Sequence, residues 1–249
     1  MRQALAWSTA LTLVTLAGCE APTGLHLQSF PVEVAGVDRD AARPFVVHTN
    51  AGWTVEYTTA QLSLAAAYLW AGPPSSGNLE AQGRAVAETL RVGTIDGLDP
   101  QRQQVRAMGL GDDETILSAE IVLVEADTGP IADAAGAGVA IARVAGRATR
   151  GAQVIDFDGL LEVPLSGAST QYDWYQSHRL TQIPVDHVAI SGQGTLVIRV
   201  DPTYWLDDVD FTALAPAPNS FGDAVDRRRL LGGVRRADAF SFEWRASAP

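Results

Sequence analysis

Four histidines, His26, His48, His178 and His187, are the side chains best suited to hold a transition metal or to move protons near neutral pH. No two of them stand at i, i+2 or i, i+4, so no pair shares a strand face or a helix face locally. His26 and His187 read as ordinary polar positions, and His48 in "FVVHTN" as a strand end facing solvent. A metal site from these residues would require the fold to gather distant positions. The one cysteine, Cys19, excludes an internal disulfide. The serines of "PLSGAS" and "AISGQG" lack the Gly-x-Ser-x-Gly frame of a nucleophile elbow. The chain has no lysine, which excludes Schiff-base chemistry and the lysine of a phosphate-binding loop. No catalytic residue is assigned, no cofactor is expected, and the chain reads as a non-enzyme.

Carboxylates and aromatics carry the remaining chemistry. The segment "DPTYWLDDVDF", 201–211, offers Asp201, Asp207, Asp208 and Asp210 as weak candidates for a hard cation such as Ca2+. Such an ion wants about six to eight oxygens, and the spacing matches no calcium loop. The simpler reading caps a helix with Asp201, opens a turn with Asp210, and packs Tyr204, Trp205, Leu206 and Phe211 inward. In "IDFDG", 155–159, the third Asp and distal Glu of a calcium loop are missing, so a β turn is expected. The stretch "QYDWYQSHR", 171–179, sets Tyr172, Trp174 and Tyr175 among polar residues without strand alternation. Exposed aromatics offer large rigid area for a ligand or partner, and these three are the candidate ligand-binding residues. The competing structural reading folds this loop back so that Trp174 caps the core.

The elements that would position these groups are mostly strands. "GWTVEYT" alternates Trp53, Val55 and Tyr57 against Thr54, Glu56 and Thr58. "AQLSLAAAYLW" continues with Leu62, Leu64, Ala66, Tyr68 and Trp70, so the apolar phase moves from odd to even numbers. A bulge or turn near Thr59 is needed for both stripes to face one core. "AEIVLVEA", 119–126, is apolar at both parities, as in a strand covered on both faces. Leu196, Ile198 and Val200, then Phe240, Phe242 and Trp244, form two further inward stripes. Turns are expected at 71–78, 109–114, 127–130 and 215–219, and 79–91 reads as a helical turn or a loop. Two short late helices are expected, one opening at Asp201-Pro202 and one at Ser220 with Gly232 closing it. The fold class is mainly β: a single β-sandwich, jelly-roll-like, with one or two short helices near the C-terminus.

The first 18 residues pair Arg2 with an apolar run from Ala4 to Ala17, too short for the roughly 20 residues of a membrane span. The tetrapeptide Leu16-Ala17-Gly18-Cys19 resembles the lipobox of bacterial lipoproteins. That resemblance implies that the Cys19 thiol receives a diacylglyceryl group and that the signal is cut before it. Cys19 is then the acylated first residue of the mature chain. The expected organisation is a signal peptide over 1–18, a lipidated start and tether over 19–28, and the β-sandwich domain over 29–249. Glu20, rather than Asp, follows the cysteine, which in enteric-type bacteria favours the outer membrane.

A second resemblance covers most of the mature chain. The order of "GWTVEYTTAQLSLAAAYLW", "AGRATRG", "DPTYWLDDVDF" and "RRADAFSFEW" is similar to that in a loose group of proteobacterial envelope lipoproteins. Some members of that group carry histidine-rich inserts after the first strands, which implies metal handling. The matching stretch here, "AGPPSSGNLEAQG", has no histidine.

Without residues 1–18 the chain holds 17 arginines against 29 acidic residues, a formal charge near −12. Such a chain is not expected to bind nucleic acid or an anionic membrane face by charge. The expected partners are the membrane, through the N-terminal lipid, and an envelope protein or small ligand. The leading functional expectation is a lipid-anchored, non-enzymatic binding or interaction module of the cell envelope; the alternative is a periplasmic metal-handling lipoprotein.

Overall fold

The structure, a computed structural model, describes residues 27–74, 83–126, 130–135, 140–162 and 178–247. Eleven strands run through them: β1 (Gln28–Ala35), β2 (Phe45–His48), β3 (Thr54–Trp70), β4 (Ala85–Asp96), β5 (Gln103–Gly111), β6 (Glu114–Leu123), β7 (Ala140–Arg150), β8 (Gln153–Glu162), β9 (Arg179–Ile190), β10 (Gly194–Val200) and β11 (Phe240–Ala246). Helix α1 spans Pro130–Ala135 and α2 spans Ala224–Val234. The arrangement is β-sandwich-like, and the long strand β3 belongs to both of its parts. Its first half pairs with β2 and β7, and β7 carries β8. Its second half lies between β4 and β6 in the run β11-β10-β1-β5-β4-β3-β6-β9. Pairing is antiparallel except between β1 and β10.

The phase change in β3 has the physical origin its sequence demands. Its register against β7 breaks between Tyr57 and Thr59, so Trp53, Val55 and Tyr57 and then Ala60, Leu62 and Leu64 all face the core. A second break, between Leu64 and Ala66, returns the phase to odd numbers. Ala67 and Leu69 are therefore fully buried, while Tyr68 and Trp70, expected inward, are only half-buried. β6 is covered on both faces over its last residues, and Leu196, Ile198, Val200, Phe240 and Phe242 face inward as their alternation requires.

Aromatic rings fill the core between the two parts. Phe157 packs 5.3 Å from Phe211, 6.3 Å edge-on from Phe221 and 6.5 Å edge-on from Tyr57. Trp53 lies 5.3 Å from Phe211 on the other side. The Tyr57 hydroxyl, buried, donates to the Pro202 carbonyl at 3.0 Å, which ties the 201–211 segment to β3.

Several local expectations are corrected by tertiary packing. The 79–91 segment is a strand from Ala85 onward, because pairing with both β3 and β5 outweighs local helix preference. The helix expected at Asp201-Pro202 does not form. Trp205, Asp207 and Val209 instead donate to the carbonyls three residues before them, and this tight winding buries Trp205, Leu206, Val209 and Phe211 together. Asp223, not Ser220, caps α2 by accepting from the Val225 amide at 2.6 Å, and Gly232 lies inside the helix. Ser220 is instead spent on the free edge of β8. Its amide donates to the Asp158 carbonyl and its hydroxyl accepts from the Asp158 amide. Residues 156–159 lie within β8 rather than in a turn, where Arg147 holds the Asp156 carboxylate and Arg143 that of Asp158. Helix α1 arises where only a turn was expected; Pro130 opens it and Ile131 packs on Ala126 and Ala140.

Candidate functional site: a cleft at the paired bulges

The second break in β3 also shapes a cleft. Between the pairs Leu64–Gly93 and Ala66–Leu90, β3 has only Ala65 where β4 has Arg91 and Val92. The mismatch is absorbed by left-handed backbone, Arg91 at φ 60° and Gly93 at φ 98°. Glycine accepts such a φ freely, but arginine does so only under constraint, and the result swings Arg91 out of the strand. Beside this irregularity lies a cleft of about 650 Å3, lined by β3 residues 63–65, by Arg91, Gly93 and Thr94, and by residues 124–126 after β6. That volume suits a small molecule; ligand pockets run roughly 300–1,000 Å3.

The walls carry opposed charges. Arg91 is exposed and makes no ion pair with another described residue. Facing it, Glu125 presents a carboxylate that is one-fifth exposed. Behind Glu125 sits His178, fully buried, its Nε2 3.2 Å from Glu125 Oε1. The next residue, Arg179, pairs with Glu120 of β6, which is 1% exposed. Two neighbouring polar contacts thus hold the start of β9 to β6 and the residues just after it, and fix the Glu125 wall. Hydroxyls of Ser63 and Thr94 complete the polar lining. A cation, a carboxylate and hydroxyls around one small volume can orient a ligand that bears both donors and acceptors.

The aspartates of 201–211 do not converge. Asp201 accepts from the Thr203 amide and hydroxyl, and Asp210 accepts from the amide and hydroxyl of Thr212. Asp208 is exposed, while Asp207 is buried, accepting from Asn50 at 3.3 Å with Arg236 at 3.9 Å. Arg236 itself forks onto Asp238 and lies 4.4 Å over the Tyr204 ring. Among the described residues no three His, Cys, Asp or Glu side chains gather as a cation site. Caps and core packing account for this segment, with Tyr204 the exception to inward packing at 40% exposed. Of the histidines, His48 is exposed at the end of β2, its Nδ1 3.1 Å from Thr54 Oγ1. Cys19, His26, Tyr172, Trp174 and Tyr175 lie outside the described residues, as does the side chain of His187.

Asp207 has a measurable consequence. Burial holds its carboxyl above the ordinary range, and the nearby Arg236 only partly opposes this. A raised folded pKa means the folded state binds the proton more tightly than the unfolded chain. Stability therefore falls as pH rises from the ordinary carboxylate range through the raised value. The variant Asp207→Asn lacks that loss. Its melting temperature relative to the parent is expected to improve as pH rises upward from the ordinary carboxylate range of about 4. Thermal unfolding across that range checks this; a constant difference would show that the carboxyl titrates normally.

Sequence reasoning missed the cleft. Gly93 inside a strand was the one available signal, since an interior glycine marks a bulge or a close approach. No family model matches the chain, and no curated protein matches it. Among solved structures, MbnP from Methylosinus trichosporium is similar at 12% identity and a TM-score of 0.42, over 88% of this chain and 99% of that one. That likeness assigns neither family nor function.

Proposed function

We propose that this chain is a lipid-anchored protein of the cell envelope, carried on Cys19 at the outer membrane, whose β-sandwich binds a small ligand rather than catalysing a reaction. The ligand bears a carboxylate or a similar compact anion. One observation carries this reading: the left-handed Arg91 is directed by the paired bulges into a cleft and has no ionic partner among the described residues. A guanidinium so placed matches a carboxylate in fork geometry, and Thr94 and Glu125 supply acceptors for the ligand's donors. The aromatic candidates Tyr172, Trp174 and Tyr175 precede His178 by three to six residues in the chain.

The test is calorimetric titration of the full chain with small carboxylates, amino acids among them, and with their neutral amides. Arg91→Asn removes the cation while keeping a residue that tolerates positive φ. A charge-assisted bond contributes about 1.5–3 kcal/mol, so about tenfold or greater weakening is expected for carboxylates and little change for amides. Equal binding by the variant, or no binding by any carboxylate, would overturn the reading. The metal-handling alternative is decided on the same preparation. About one bound metal per chain, with a melting point that rises with free metal, would favour it.

A further inference from the structure

Eight large apolar side chains are well exposed among the described residues, and four of them share one face. In β5, Leu110 lies opposite Ser29 of β1 and Glu88 of β4, and Met108 lies opposite Pro31. Leu27 stands two residues before Ser29, and Leu90 two residues after Glu88. Strand periodicity therefore sets Leu27, Leu90, Met108 and Leu110 together on the outer side of β1, β5 and β4. A shallow groove of about 220 Å3 runs between Leu27, Leu110 and Tyr68. Contiguous exposed apolar surface of this kind marks a binding face for protein or lipid.

The course of the chain decides between them. Leu27 is both a member of this face and the eighth residue after Cys19. Eight residues span at most about 28 Å, so an acylated Cys19 holds this face beside the bilayer at high effective concentration. No other partner is kept so close by covalent connection. The charge of the chain without residues 1–18, near −12, argues against an anionic lipid surface and leaves a zwitterionic one. Resting on the lipoprotein reading above, we propose that the face formed by Leu27, Leu90, Met108 and Leu110 docks on the zwitterionic phospholipid surface that receives the Cys19 acyl chains. The domain then lies down on the membrane rather than hanging from its tether.

The sequence provides its own probe. Only Met1 and Met108 are present, and removal of residues 1–18 leaves Met108 alone. The mature lipidated chain is labelled with methyl-13C methionine and reconstituted in phosphatidylcholine vesicles or discs, with or without a headgroup-nitroxide lipid. Mass spectrometry first reads the lipid on Cys19. The single methyl signal is expected to disappear when the nitroxide lipid is present. In Leu90→Glu/Leu110→Glu the signal is expected to survive, with the rest of the spectrum and the melting point preserved. A signal unaffected by the nitroxide in membrane-bound, lipidated protein would overturn docking while leaving the lipoprotein reading intact. A sharp signal together with a dimer in detergent sedimentation would assign the face to a second copy, again overturning docking. A mature chain without lipid would overturn the lipoprotein reading and the docking with it.

Discussion

Phe157→Ala is expected to lower the unfolding free energy by about 3–5 kcal/mol, the range for removing a buried aromatic ring. The ring is 2% exposed and touches Tyr57, Phe211 and Phe221, which come from β3, from the end of the 201–211 segment and from the approach to α2. Across the β7–β8 pair its partner is Gly146, whose missing side chain leaves room for the ring; a Cβ there would sit 3.0 Å from it. Among the described strands β8 pairs with β7 alone, so this side chain joins an edge strand to the core. Few neighbours can shift to refill the space, because the surrounding rings are fixed from three different segments. Domains of ordinary stability hold about 5–15 kcal/mol in total, so the variant is expected to unfold at clearly lower denaturant. Chemical denaturation with an unchanged slope checks it. A loss under about 1 kcal/mol would show that the pocket collapses or that the ring is not packed as described.

Cys19→Ser is expected to have the largest effect on location. The hydroxyl cannot take the diacylglyceryl thioether, so lipid transfer and the cleavage that depends on it both stop. Each buried acyl methylene contributes about 0.8 kcal/mol to membrane binding, and two or more chains make the anchor stable. On the proposed lipoprotein reading, the serine variant is expected to lose that entire contribution at once and to retain the uncut leader. Fractionation and mass spectrometry of the intact chain read both effects. If the variant still appears as a processed, acylated membrane protein, Cys19 is not the lipid attachment point. On the docking proposed above, the Leu27–Leu110 face is not expected to substitute for the anchor, because that docking depends on the tether.

The physics explains which parts of the molecule were legible in the sequence. The odd-to-even change of phase around Thr59 announced a bulge, since polar residues separated the two apolar stripes. The break at Ala65 was hidden, because Leu64, Ala65, Ala66 and Ala67 are apolar at both parities and give alternation nothing to register. Strands with clean alternation, such as Phe240–Ala246, were readable for the opposite reason. In 201–211 the aspartates that cap turns were recognisable from their places, but the i+3 winding depended on Tyr57 and on core space supplied from elsewhere. The cleft left almost no local trace. Glu125 and His178 meet across 53 residues of sequence, and the positive φ of Arg91 is imposed by mismatched strands rather than by its own preference.

The place where the chain enters the sheet bears on how the protein withstands pulling. Leu27 leads directly into β1, which is not an edge strand but lies between β10 and β5. A tug on the amino terminus is therefore directed along β1, and the hydrogen bonds to both neighbours resist it side by side. An edge strand pulled from its end in the perpendicular sense would instead open one bond after another, like a zip. The parallel β10 runs in the same direction as β1, so it shares the strain over its length and passes it on to β11. On the lipid-anchored reading proposed above, a pull through Cys19 is thus borne by β1 and its two neighbours rather than by the strands around the cleft on the far side of β4.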